Sequence, residues 1–352
     1  MTPLEDILRR QIALTGPISL SDYMAECLLH PDHGYYATRD PLGRAGDFIT
    51  APEVSQMFGE VVGLALAQAW IDQGRPADSI LVELGPGRGT LMADALRATQ
   101  RVPGFHDAIN VHLIEASPVL RAAQADRVRD ATWHDDFTTL PEGPTFAVAN
   151  EFFDALPIRQ FTRDPAGWRE HMVGIENDVL TIGLSTPAPL AALDHRLQDT
   201  KPGDVVELCP ALPGIVQTLG ARINHSGGVG LIIDYGDWRS LGDTLQALAA
   251  HDRADPFRAP GTVDLTAHVD FEAVAEAARP AAYTRLVTQG VFLERLGITQ
   301  RAQTLARSLS GSALDQHVAA HRRLTHPTEM GEIFKVMGLY PAQAAPPPGL
   351  TA

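Results

Sequence analysis

The run Ile80-Leu-Val-Glu-Leu-Gly-Pro-Gly-Arg-Gly-Thr90 is an apolar strand that ends in three glycines and leads into a helix. Glycines let a backbone turn tightly and approach a ligand, and the helix start behind them offers unpaired N–H groups. Such a turn could serve NAD, FAD or S-adenosylmethionine. Two details separate these ligands. Gly85, Gly87 and Gly89, with Pro86 between the first two, follow G-x-G-x-G, whereas the dinucleotide fingerprint is G-x-G-x-x-G. Glu83 also stands inside the strand, where an acid suits a cationic amino group and is misplaced beside a pyrophosphate. Both favour S-adenosyl-L-methionine as cofactor.

Further acids fall where that cofactor needs them. Glu115 ends the next apolar run, Val111-His-Leu-Ile-Glu115, and a carboxylate there can accept both ribose hydroxyls. It lies somewhat farther along than the ~20 residues of the dinucleotide pattern, a difference a longer helix absorbs. His134-Asp-Asp-Phe137 places Asp135, Asp136 and the Phe137 ring where an adenine would lie, with no choice made between the two acids. At the end of a fourth strand, Asn150-Glu-Phe-Phe-Asp154 brings Asn150, Glu151 and Asp154 to the edge where ligands of open α/β sheets sit. Two carboxylates and an amide can hold and orient a guanidinium through charge-assisted hydrogen bonds. Glu151 and Asp154 read as the clamp, Asn150 as its orienter, and Phe152 and Phe153 equally as core.

The elements that position these residues read as an α/β protein. Strands are expected at 80–84, 111–115, 132–133, 146–150 and 229–235, with helices near 90–101 and 118–129, the alternation of a parallel sheet. Before them come a small helical preface, a loop rich in Gly, Pro and aromatics, and one long helix from about 52 to 73. Hairpin strands and a Pro-containing linker after Pro157 read as an insertion. The domain reading is residues 1–75 as N-terminal extension and cofactor-covering loop, 76–157 and 226–340 as the catalytic core, 158–225 as the insertion, and 341–352 as a disordered Ala/Pro-rich tail.

Five motifs carry a resemblance: Gly46-Asp-Phe-Ile-Thr-Ala-Pro-Glu-Val-Ser-Gln-Met-Phe-Gly59, Val82-Glu-Leu-Gly-Pro-Gly-Arg-Gly89, Asn150-Glu-Phe-Phe-Asp-Ala-Leu-Pro157, Ile233-Asp-Tyr-Gly236 and Asp264-Leu-Thr-Ala-His-Val-Asp-Phe271. In that order the chain resembles the MidA family of S-adenosylmethionine-dependent methyltransferases, which includes the mitochondrial NADH:ubiquinone oxidoreductase assembly factor 7. The resemblance implies a Rossmann-like class I methyltransferase sheet with an N-terminal helical extension and an inserted α+β segment. It implies symmetric dimethylation of arginine on a respiratory complex I subunit during assembly, and it allows a homodimer. It adds Thr50 and Glu53 as cofactor contacts in a segment, with Gly46, Asp47 and Phe48, that closes over the cofactor. His268 is added as a catalytic candidate, and Asp234-Tyr235-Gly236 as a stretch that could line the pocket.

Composition limits the alternatives. Apolar residues make up 45% and charged residues 20%, ordinary values for a folded protein. A formal charge of −15 disfavours nucleic acid and anionic membranes as partners and suits a basic protein segment. Cys27 and Cys209 are far apart, and no run has metal-ligand spacing. The first ten residues lack the apolar core of a secretory signal and no stretch is long enough to span a bilayer, so the expectation is a cytoplasmic protein. The competing reading is an assembly chaperone that binds S-adenosylmethionine and whose main role is docking an unassembled subunit.

Overall fold

The computed structural model describes residues 2–38, 50–249 and 252–352. Helices α1 (Pro3–Thr15) and α2 (Leu20–Leu29) open the chain, capped by Thr2 and Ser19. The one long helix expected over 52–73 is two, a single turn Ala51–Val54 and then α3 (Gln56–Asp72). Ser55 separates them. It is extended (φ −164°, ψ 139°), and its hydroxyl accepts the Met57 N–H, so its side chain starts a new helix instead of continuing the old one.

The alternating region follows: β1 (Ser79–Leu84), α4 (Thr90–Thr99), β2 (Ile109–Ile114), α5 (Pro118–Arg127), β3 (Thr132–His134) and β4 (Thr145–Asn150). An antiparallel excursion of β5 (Arg159–Asp164), β6 (Gly167–Glu176), β7 (Val179–Leu184) and β8 (Val205–Leu208) comes next. The chain then returns through α6 (Leu212–Ser226), β9 (Gly228–Asp237) and α7 (Phe271–Ala277). Three helices, α8 (Gln289–Arg295), α9 (Ile298–Ala306) and α10 (Gly311–Thr325), precede the last strand, β10 (Phe334–Tyr340).

The central sheet runs β10-β9-β4-β1-β2-β3, parallel except for β10, which lies antiparallel to β9. Strand order reverses between β1 and β4, the switch point above which open sheets bind ligands. Both faces are covered. Leu81, Phe146, Val148 and Leu231 face the layer holding α3 and α4, while Val82, Ala147, Ala149 and Ile232 face α6 and α7. Burial on both sides explains why these strands read as continuous apolar runs.

Three expected boundaries move. Helix α6 buries Val216, Leu219 and Ile223 against the central sheet, so the insertion ends before Leu212 and not at 225. Residues 1–75 are not one unit. Leu4, Leu8, Tyr23 and Met24 pack with Val173 and Leu180 of the insertion, and Ile18–Ser19 pairs with β6, whereas α3 belongs to the central core. The tail is not loose: Leu350 is 6% exposed, Arg285 N–H donates to Thr351 O at 2.9 Å, and Pro347 and Leu350 fill the space above Gly338. Among the described residues no helix is long and apolar enough to cross a membrane.

Candidate active site

The turn after β1 is built from left-handed residues: Gly85, Gly87 and Gly89 have φ of 59°, 53° and 78°. At Gly85 no side chain fits, because a Cβ would come within 2.7 Å of the Phe152 ring. Behind the turn lies a cavity of about 410 Å³ over the carboxyl ends of β1, β2 and β4, a size that suits a nucleoside-bearing cofactor. Glu83, Gly85, Pro86 and Gly87 form its floor. Gly89 is not on the wall; it starts α4.

Glu83 is 3% exposed and its Oε2 has no hydrogen-bond partner. Burial pushes its carboxyl up to about 8, against one backbone N–H from Met92, and nearby Glu115 adds to the rise. A buried acid with an unused oxygen on a cavity floor is a seat for a cation.

Glu115 stands on the same wall, with Ser117 N–H donating to Oε1 at 2.8 Å and Gln124 Nε2 donating to Oε2 at 3.1 Å. Ser117 Oγ also donates to Tyr36 O, which ties the N-terminal extension to the site. Asp135, Asp136 and Phe137 line the same end. Asp135 is exposed and paired with Arg121, Asp136 accepts the Thr138 N–H at 2.7 Å, and the Phe137 ring is buried.

At the opposite end Asn150, Glu151 and Phe152 reach the cavity. Glu151 has φ +51°, a left-handed backbone that is rare outside glycine and collects at functional sites. Its Oε1 accepts the Ala51 N–H at 2.9 Å and the Asn150 amide at 3.1 Å, so the single-turn helix Ala51–Val54 docks on this carboxylate. Burial raises Glu151 to about 7, with Asp154 contributing.

Asp154 is not on the cavity wall. It lies one layer behind, 6% exposed, beside Tyr235 and with Oδ1 unpartnered. Fully buried Asp234 explains the placement: its Oδ2 accepts the N–H groups of Phe152, Phe153 and Asp154 at 3.2, 2.9 and 3.3 Å, curling the segment so that Asp154 turns inward. Burial raises both aspartates, and at Asp234 repulsion from Asp154 and Glu151 adds to the rise.

Thr50 and Glu53 form the rim, where Glu53 accepts the Thr90 hydroxyl and faces Arg88 and Arg127 at 4.0 and 3.7 Å. Gly46, Asp47 and Phe48 lie outside the described residues. His268 does not join the others. Its N–H is held by Thr244 Oγ1 at 2.8 Å and its ring packs edge-on to Tyr235, facing a separate cleft beside Cys209 and Asp270. The short strand Val269–Asp270 runs alongside the end of β9. Missing from the sequence reading was Gln124, which holds the glycine loop; Asp234, Tyr235 and Gly236, expected there as possible pocket lining, do not reach the cavity, and Asp234 instead holds the Phe152–Asp154 turn from behind.

The glycine cradle, the unpaired Glu83 oxygen over a cavity and the acid at the end of β2 fit S-adenosyl-L-methionine, whose methionine ammonium Glu83 could hold and whose ribose Glu115 could hold. Fold and site together define a class I S-adenosylmethionine-dependent methyltransferase.

The comparisons agree. A family described as S-adenosyl-L-methionine-dependent methyltransferases matches residues 61–289. The mitochondrial protein arginine methyltransferase NDUFAF7 of Homo sapiens is 37% identical over 97% of this chain and 84% of its own length. Its counterpart in Xenopus laevis is 38% identical over 94% and 83%. The crystal structure of a methyltransferase-like protein from Burkholderia thailandensis, bound to S-adenosylhomocysteine, has a TM-score of 0.81 at 30% identity and covers 96% of this chain and 91% of that one. The chain belongs to the MidA family.

One expectation is overturned. The relatives are named as mitochondrial proteins, which corrects the cytoplasmic assignment. Cysteine usage reports a reducing environment and does not say which compartment provides it.

Proposed function

We propose that the methyl acceptor is a protein arginine side chain, converted to symmetric dimethylarginine on a respiratory complex I subunit. The observation that carries this reading is Glu151 at the end of the cofactor cavity with the buried Asp154 and Asp234 one layer behind it, three carboxyls with raised proton affinity. Buried acids that repel one another are relieved by a cation. A guanidinium supplies that charge and has planar donors for Glu151 and the unpartnered Asn150 Oδ1. The name of the NDUFAF7 relatives, protein arginine methyltransferase, supports the same acceptor.

The bound cofactor supplies a methyl group on a positively charged sulfur. Asn150 and Glu151 orient one guanidino nitrogen toward it, and the docked turn Ala51–Val54 helps to keep water out. Free guanidinium, with a pKa above ~12, is a poor nucleophile. As the new N–C bond forms and the sulfur keeps the electron pair of the broken S–C bond, the nitrogen loses a proton to Glu151. Asp154 sits behind Glu151 and helps hold its carboxyl near neutrality, where accepting that proton is easiest.

Glu151→Gln keeps the shape of the pocket and removes the base. Methylation is expected to fall by about 10²–10⁴-fold while S-adenosylhomocysteine binds as in the wild type. Rate and binding both unchanged contradict the assignment. Hydrolysis of the modified subunit, followed by chromatography against asymmetric and symmetric dimethylarginine standards, decides the product. A subunit that is bound yet never modified favours docking as the main role.

A further inference from the structure

Helix α5 carries Arg121, Gln124 and Arg127 among its polar residues, and by type Gln124 belongs on its surface. Yet Gln124 is 0% exposed. Its amide makes three hydrogen bonds: Nε2 donates to Gly87 O at 2.7 Å and to Glu115 Oε2 at 3.1 Å, and Oε1 accepts the Trp133 indole N–H at 2.8 Å. Only one orientation of the amide satisfies all three. Turned over, its NH₂ would face the indole N–H and its oxygen would face two acceptors.

We propose that Gln124 is a positioning residue for methyl transfer, a single amide that holds the glycine loop and the carboxylate of Glu115 in register so that the cofactor meets a preformed site. The inference rests on the reading of Glu115 as the ribose acid.

The three glycines of the loop have no side chains with which to hold it, and beyond its own Gly89 N–H to Pro86 O bond at 2.7 Å its left-handed backbone takes an outside partner. Gln124 is that partner at Gly87, and the loop lies directly on it: a Cβ on Gly89 would stand 3.5 Å from Gln124 Cγ. The same amide acts on charge. Burial pushes the Glu115 carboxyl up, and the Ser117 N–H and the Gln124 amide push it back toward the ionised form that accepts two hydroxyls. Trp133 locks the amide in place and touches neither partner through that bond.

The test compares Gln124→Met, Trp133→Phe and Glu115→Gln in the full chain. Calorimetric Kd for S-adenosylhomocysteine is measured across pH, beside KM and kcat for S-adenosylmethionine. Gln124→Met is expected to raise Kd and KM about tenfold, the size of one lost hydrogen bond to a charged group. At saturating cofactor its kcat stays within about twofold of the wild type. The Glu115 step of the pH dependence of binding, superposed on that of the neighbouring Glu83, moves upward, because Glu115 ionises later. Trp133→Phe moves the same quantities in the same direction by less and carries the test should Gln124→Met fail to fold. A folded Gln124→Met with wild-type Kd overturns the inference, as does a lower melting temperature with an unmoved pH midpoint. Glu115→Gln separates the two levels: if it weakens binding while Gln124→Met does not, the inference alone is wrong, and if it leaves Kd unchanged, the ribose assignment fails and the inference with it.

Discussion

Glu83 and Glu151 hold their protons to about 8 and about 7 in the cofactor-free protein, far above the ordinary glutamate value of 4.5, because burial penalises their charge. The folded state therefore binds protons that the unfolded chain has already released. Their contribution to stability is fully present below the unfolded value and is lost as pH rises through the folded ones. The melting temperature of the cofactor-free protein should thus fall between about pH 5 and about pH 8, and Glu83→Gln should flatten part of that fall. An identical slope in the variant contradicts the seat assigned to Glu83. In the wild type, affinity for S-adenosylhomocysteine should rise over the same range, because its ammonium needs the ionised acid, and Glu83→Gln should weaken binding by about 10-fold or more. These acids were legible in the sequence because each sits at a strand end or beside a glycine turn. The roles of Gln124 and Asp234 were not, since Gly87 lies 37 residues from the one and the Phe152–Asp154 turn about 80 residues from the other. For His268 the motif gives a position along the chain, but the cleft it faces depends on its packing against Thr244 and Tyr235.

Helix α3 and helix α4 meet backbone to backbone: a Cβ on Gly63 would come within 2.5 Å of Ala95 Cα. The close approach is a feature of the core, whereas that of Gly85 on Phe152 is a feature of the site. The two glycines should therefore fail differently. Gly63→Ala is expected to destabilise by about 1–3 kcal/mol with cofactor affinity retained in the folded fraction. Gly85→Ala should abolish binding of S-adenosylhomocysteine with a smaller effect on melting, its clash being with a ring at the cavity. Thermal melts and calorimetry on both variants check this, and the reverse pattern contradicts the assignment of the loop. The α/β alternation was readable because both faces of the sheet are buried, which leaves unbroken apolar strands. The break at Ser55 was not: apolar periodicity continues through it, and the interruption comes from one hydroxyl taking one N–H. The end of the insertion was equally hidden, because α6 follows the excursion and only packing assigns it to the sheet.

On the scale of the whole molecule, the first part of the N-terminal extension, α1 and α2, forms one layer with the insertion, joined through Ile18–Ser19 and β6. The extension is also tied to the cavity wall through Tyr36 and Ser117. Elements from the start and middle of the chain thus frame a catalytic core that the sequence shows as a separate run. The formal charge of −15 suits a basic acceptor segment, and the buried acids at the cavity end give that preference a local form. Which compartment the protein works in was outside the reach of composition, and the relatives corrected it. The central claim is that Glu151, backed by Asp154 and Asp234, takes an arginine as methyl acceptor. The most direct measurement is tandem mass spectrometry of a complex I subunit after incubation with the protein and methyl-deuterated S-adenosylmethionine, beside a Glu151→Gln control. The account predicts label on a guanidino nitrogen of one arginine, absent in the control. Label on another residue type, or none while S-adenosylhomocysteine binding is intact, would contradict it.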